Sequence, residues 1–191
     1  MNAFALSFGV IFLAELGDKS QLMALAFASR YRAPIVLLAV TLATLLVHAA
    51  SVLVGSALTT LPVEAIRLAA GVAFLGFAAW TLVGDVLGAD DEARAARTGR
   101  WAILTIGSAF FIAELGDKTM LATITLATTA EPWATWLGST AGMVVADALA
   151  IGVGALLGRR LPERTIKLGA AAAFVVFGVA LIAEGLGILR F

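Results

Sequence analysis

Two stretches 99 residues apart, ELGDKS at 15–20 and ELGDKT at 114–119, each set three ionisable side chains inside a run of apolar residues. A charged side chain at the centre of a membrane helix costs about 2.5–3.5 kcal/mol on insertion scales. Six of them bring the gross cost to the order of 15 kcal/mol before any pairing. No lipid-facing role sustains that, so the six groups must face inward and toward one another. Whatever the chain folds into has to gather Glu15, Asp18 and Lys19 with Glu114, Asp117 and Lys118 inside an apolar body.

Composition says where that body sits. The 191 residues are 61% hydrophobic and 14% charged, against about 45–50% and 25% in soluble domains. One water-soluble core cannot hide so much apolar surface, and membrane residence follows. The zero net charge gives no reason to expect nucleic acid as a partner. With no cysteine and the single histidine His48, neither thiolate sites nor a multi-histidine zinc site can be built. The first apolar run lacks the basic start and uncharged centre of a secretory signal, so it reads as a retained membrane helix.

A helix needs about 20 apolar residues to cross a bilayer. Polar and proline-bearing breaks such as SRYRAP, TTLPVE, GADDEARAARTGR, TTAEPW and GRRLPER divide the chain into six spans. They run approximately 3–27, 34–58, 64–88, 101–126, 134–157 and 165–187. The halves repeat. Beyond the motifs, Gly55 matches Gly154 at the same offset, and IRLAAGVAF (66–74) aligns with IKLGAAAAF (166–174) after a one-residue insertion. Apolar helices resemble one another by composition alone, but charged residues at one fixed offset are not explained that way. Three spans per half is an odd number, so the second half enters the membrane from the opposite side. The expected fold is an all-α integral membrane protein of six transmembrane helices, in two inverted three-helix repeats. The repeats occupy 1–88 and 101–191 around a connecting loop at 89–100, as one integrated membrane domain.

Basic residues orient it. Arg30, Arg32, Arg94, Arg97, Arg100, Arg159, Arg160, Arg164 and Lys167 fall on one face, and only Arg67 and Arg190 on the other. The positive-inside rule puts the richer face and the 89–100 loop in the cytoplasm, with both termini outside.

Glu15 and Asp18 are three residues apart, as are Glu114 and Asp117, so each pair shares a helix face. Lys19 and Lys118 lie four residues past their glutamates, within reach of a pair. Glycine between the acids allows close helix approach or a local opening of the backbone. Two such helices crossing antiparallel gather four carboxylates near the midplane. Four acids and two lysines leave a charge of −2, which one divalent cation or two protons neutralise. Competition of cation and protons for the same oxygens is the physical basis of exchange. Carboxylates, the hydroxyls of Ser20 and Thr119 and the amide of Gln21 are hard donors, suited to Mg²⁺, Ca²⁺ or Mn²⁺ rather than copper. The bland alternative is a set of structural Glu–Lys pairs, and the lysines fit a counter-charge role even where the acids bind metal.

Other polar residues in the spans carry weaker signals. His48 and Asp147 occupy one repeat position; Asp147 reads as a proton relay, an added ligand or a buried hydrogen-bond partner, and His48 as a proton carrier or a satisfied interior histidine. Asp85 and Glu184 fall near helix ends. Thr41, Thr44, Thr123 and Thr125 suit bonds to the preceding helical turn. Trp101, Trp133 and Trp136 sit where interfacial anchors do.

Two copies of Glu-x-Gly-Asp-Lys-Ser/Thr in a six-span chain resemble the UPF0016 family, also called the GDT1 or TMEM165 family. The likeness covers essentially the whole chain and neither motif departs from the pattern. It implies a cation/proton exchanger that moves Mn²⁺ or Ca²⁺ out of the cytosol, with Glu15, Asp18, Glu114 and Asp117 as the ion ligands. The implied molecule is no enzyme and needs no cofactor beyond the transported ion; its partners are the bilayer, the cation and protons, and a homodimer is left open. The short 89–100 loop is similar to compact prokaryotic members, and the absence of an extension before the first helix points to a bacterial inner membrane. The rival readings are a divalent-cation channel, an intramembrane carboxylate enzyme and a LysE-like exporter of organic solutes.

Overall fold

The computed structural model describes residues 2–83, 101–157 and 163–188. All regular structure among them is helical, in eight helices: α1 (Ala3–Glu15), α2 (Lys19–Ala28), α3 (Ala33–Leu58), α4 (Val63–Val83), α5 (Ala102–Glu114), α6 (Lys118–Ala127), α7 (Pro132–Leu157) and α8 (Glu163–Gly185). Helices α1, α2 and α3 have the same lengths as α5, α6 and α7, each displaced by 99 residues. The repeat seen in the residues is therefore also a repeat of helix boundaries. Among the described residues, three helices are long and apolar enough to cross a membrane by themselves: α3, α4 and the 132–153 part of α7. The end of the third predicted span, the loop at 89–100, Asp85, Arg94, Arg97, Arg100, Arg159, Arg160 and Arg190 lie outside the described residues.

The first and fourth predicted spans are not continuous helices. Each is two short helices joined by an opened turn, at Leu16–Asp18 and at Leu115–Asp117. Glycine decides this locally. Gly17 and Gly116 stand at φ +76° and +77°, a left-handed conformation that costs an L-residue with a Cβ roughly 1–2 kcal/mol. Leucine before each glycine is extended, and the aspartate after it caps the next helix in an extended conformation, the position aspartate favours.

The halves interlock. Helix α1 packs along α7, α3 along α5 and α6, and α4 along α8. Between α1 and α7 the backbones meet so closely that only glycine fits at 138 and 142. A Cβ on Gly138 would stand 2.4 Å from the carbonyl oxygen of Phe4, and one on Gly142 2.5 Å from that of Phe8. The ascending order of these pairs means that α1 and α7 run parallel. Helices α4 and α8 run antiparallel, with Leu68 against Gly185, Gly71 against Gly178 and Phe74 against Phe174, and an Arg67–Glu184 ion pair of 3.4 Å at one end. Where α3 meets α7, Thr44 Oγ1 lies 3.3 Å from Met143 Sδ. These two residues are repeat equivalents, 99 positions apart.

Polarity is inverted relative to a soluble protein. Leu46, Leu53, Val72, Leu104 and Val176 are exposed, while Glu15, Asp18, Thr44, His48, Glu114, Asp117, Lys118 and Asp147 are buried. An apolar exterior around a polar interior is what a lipid solvent selects. Trp101 and Trp133 are exposed at helix starts, as anchors would be. Trp136 instead donates its indole N–H to the carbonyl of Leu45 at 2.9 Å, tying α7 to α3. Thr41, Thr123 and Thr125 bond the preceding turn as expected.

Candidate metal centre

The two opened turns carry four buried acids, Glu15, Asp18, Glu114 and Asp117, into this interior. Glu15 ends α1 and Glu114 ends α5; Asp18 begins α2 and Asp117 begins α6. The acids meet because the backbone opens between them, and not because they share the face of a continuous helix. Each turn sets the carbonyl end of one half-helix beside the amide end of the next. Such broken helices supply charge-complementary ends for ions at mid-depth.

The two glutamates are held alike. Ser20 Oγ donates to Glu15 Oε1, and Thr119 Oγ1 donates to Glu114 Oε2 at 2.9 Å. In each case the second carboxylate oxygen, Glu15 Oε2 or Glu114 Oε1, is buried with no hydrogen-bond partner among the described residues. A buried carboxylate oxygen without a donor asks for a cation or a proton. The two hydroxyls expected as donors to an ion thus serve first to orient the glutamates. Ser20 Oγ also lies 3.1 Å from Asp18 Oδ2.

The lysines pair across the halves. Lys118 bonds Asp18, and Lys19 bonds Asp117 at 3.2 Å. This corrects the spacing argument, in which each lysine reached back to the glutamate of its own motif. The opened turn removes the helical register on which an i,i+4 pair depends, and the crossing of the halves brings the opposite aspartate closer. The pairs are unequal: the Lys118 side chain is 4% exposed and that of Lys19 20%.

Among the described residues, one ligand oxygen each from Glu15, Asp18 and Glu114 lies within 4.8 Å of the others. Oxygens on opposite sides of a hard divalent cation are about 4–5 Å apart, twice a metal–oxygen distance of about 2.0–2.6 Å. The spacing therefore suits such an ion. Asp117 is not part of that set; its carboxylate faces Lys19. Asp147 on α7 is fully buried, both its oxygens lack a hydrogen-bond partner among the described residues, and it lies within electrostatic reach of Glu15, Asp18 and Glu114. His48 is buried on α3 with neither ring nitrogen hydrogen-bonded among the described residues.

Gln21 does not offer a free amide. Its Oε1 accepts from the Gly17 N–H at 2.8 Å, and its Nε2 donates to the Ala146 carbonyl at 3.1 Å. The repeat equivalent of Gln21 is Met120, whose Sδ accepts from the Gly116 N–H at 3.2 Å. Sequence reasoning passed over Met120, although its alignment with Gln21 at the motif's end was the available signal.

Comparison with known proteins finds one family and several relatives. A family model described as divalent cation/proton antiporter GDT1 matches the chain twice, over residues 3–89 and 102–188. The two matches are displaced by 99 residues, the offset of the motifs. A Vibrio cholerae protein named "Putative manganese exporter" is 35% identical over 184 residues, covering 94% of this chain and 90% of that one. The GDT1-like protein sll0615 of Synechocystis is 29% identical, with 94% and 96% covered. The chloroplastic GDT1-like protein 2 of Oryza sativa subsp. japonica is 31% identical over 94% of this chain and 60% of its own. No solved structure matches the chain.

Proposed function

The chain belongs to the GDT1 family, and from that premise we propose that it exports divalent cations from the cytoplasm in exchange for protons. Mn²⁺ is the first candidate, in line with the name of the Vibrio relative, and Ca²⁺ the second. The observation that carries the reading is the meeting of Glu15, Asp18 and Glu114 oxygens inside an apolar body.

In this reading, four carboxylates at the midplane form the site, with unequal duties. Asp18 and Asp117 are neutralised by Lys118 and Lys19. Glu15 and Glu114 then leave a charge of −2, matched by one M²⁺ or by two protons. Asp18 completes the oxygen set while Lys118 balances its charge. Asp147 takes the part of proton acceptor beside the site, and His48 has no assigned step. Ser20 and Thr119 hold the glutamates in place.

Helix directions support an inverted repeat of six spans. Helix α1 is parallel to α7, the second span of the other half, and the two third helices are antiparallel. The four-residue connections at 29–32 and 128–131 favour reversal of direction between neighbouring helices. With the positive-inside rule, the termini lie outside and the 89–100 loop in the cytoplasm of a bacterial inner membrane. Metal enters from the cytoplasm, the halves rock, and protons from the outer side displace the ion. Expelling a doubly charged ion against 100 mV, inside negative, costs about 4.6 kcal/mol; two inward protons offset that electrical work and leave the pH gradient as the drive.

Proteoliposomes loaded with a pH dye test this. Mn²⁺ movement should be matched by opposite proton flux, and should stop in Glu15→Gln or Glu114→Gln. Mn²⁺ flux without proton flux is the signature of a channel, and counterflow of an organic solute that of a LysE-like exporter; either result overturns the proposal.

A further inference from the structure

The two half-sites differ at one position whose chemistry is unlike. In the first half, Gln21 is almost fully buried and its amide spans two segments. It accepts from the Gly17 N–H in the opened turn and donates to the Ala146 carbonyl on α7, the residue before Asp147. In the second half, Met120 accepts from the Gly116 N–H of its own turn. A thioether is a weak acceptor and has no proton to donate, so it cannot make the second link.

The receiving carbonyls differ in a complementary way. The repeat equivalent of Ala146 is Val47 on α3, and its carbonyl already accepts from the Ser51 hydroxyl at 2.7 Å. The equivalent of Ser51 is Ala150, which has no hydroxyl, so no serine of that kind competes for the Ala146 carbonyl. One half-site thus combines Gln21 of the first half with Ala150 of the second, and the other combines Met120 of the second half with Ser51 of the first. Exposure follows the same division: Leu115 is 49% exposed and Gly116 is exposed, whereas Leu16 and Gly17 are half-buried.

We infer that Gln21 is a positioning residue that latches the first opened turn to α7, so that the second turn, at Leu115–Asp117, is the one that loosens between access states. Resting on the alternating-access reading above, the inference assigns the moving part of the site. Gln21 holds Glu15 and Asp18 at a fixed distance from Asp147, and Glu114 and Asp117, on the turn that lacks the glutamine link, approach and leave them as the Lys19–Asp117 pair forms and breaks.

The cysteine-free chain allows single-cysteine tests. Leu16→Cys and Leu115→Cys are each introduced into purified full-length protein, and the rate of maleimide labelling is measured with and without Mn²⁺. The Leu115→Cys rate should respond to Mn²⁺ and the Leu16→Cys rate should not. Adding Gln21→Met should raise Leu16→Cys labelling about tenfold, the effect of losing one or two buried hydrogen bonds on an opening equilibrium. The exchange Gln21→Met with Met120→Gln and Ser51→Ala should transfer the Mn²⁺ response from position 115 to position 16. General loosening of the fold predicts no such transfer. Equal responses at both positions in the parent chain, or a Gln21→Met variant that labels at the parent rate, overturn the inference. Labelling requires no transport, so a failure of Mn²⁺/proton exchange in vesicles would remove the exchange reading while these rates still decide the latch.

Discussion

Removing the Lys118 ammonium is the sharpest test of how the two halves hold one another. Lys118 is 4% exposed and Asp18 not at all. Lys118→Met therefore leaves Asp18 as a buried carboxylate without its counter-charge, and breaking a buried pair in this one-sided way costs about 3–5 kcal/mol. The equivalent change Lys19→Met removes a side chain that is 20% exposed. Water already screens that ammonium, and the cost should be about half as large. At about 2–4 °C per kcal/mol for a chain of this size, Lys118→Met should lower the midpoint of thermal unfolding in detergent by roughly 6–20 °C. A double-mutant cycle then identifies the partner. Lys118→Met with Asp18→Asn should show a coupling of about 2 kcal/mol, and Lys118→Met with Glu114→Gln less than about 0.5 kcal/mol. Coupling that is larger to Glu114 than to Asp18 would mean that each lysine serves its own motif, and would refute the crossed pairing. Equal losses for the two lysine variants would refute the burial argument.

Other outcomes follow from the same geometry. Gly116→Ala meets no atom within 4 Å of its new Cβ, so its cost of roughly 1–2 kcal/mol is conformational; exchange should slow while the unfolding midpoint falls by about 2–8 °C, measured side by side with the parent. Gly142→Val drives a side chain into the Phe8 carbonyl, 2.5 Å from the Cβ position, and should destabilise by at least about 1–3 kcal/mol in a chemical-denaturation series. Apparent Mn²⁺ affinity, followed by calorimetry, should fall as pH is lowered, because protons and metal compete for the same carboxylates. Thr119→Ala should weaken Mn²⁺ binding severalfold by freeing Glu114 Oε2 from its 2.9 Å donor, and Thr119→Ser should restore it.

Much of this was legible in the residues. The spacing of apolar runs marked the helix boundaries to within a few residues, and the recurrence of Glu-x-Gly-Asp-Lys pointed to the interior that the structure shows. The opened turns were harder to read. Glycine inside a membrane helix serves packing as readily as unwinding, and only the φ angles of Gly17 and Gly116 separate the two. The crossed pairs, Lys118 with Asp18 and Lys19 with Asp117, depend on how the halves cross, which local spacing does not encode. Trp136 misled for a related reason. Its position near a helix start fits an interfacial anchor, but the partner that claims its N–H, Leu45, lies 91 residues away.

The interlocking of the halves also governs how the molecule is made. Helices α1 and α2 leave the ribosome early, yet the surface they pack against, α7, is complete only about 130 residues later. At translation rates of about 5–20 residues per second, that interval is on the order of 6–26 s. Through it Glu15, Asp18 and Lys19 have no second half to meet and must wait beside the insertion machinery or in the water-facing margin of the bilayer. Nascent chains truncated before α7 keep α3 and α4 as membrane spans but should leave the first motif open to water-soluble labels or be degraded, and burial of that motif should be a late event of biogenesis.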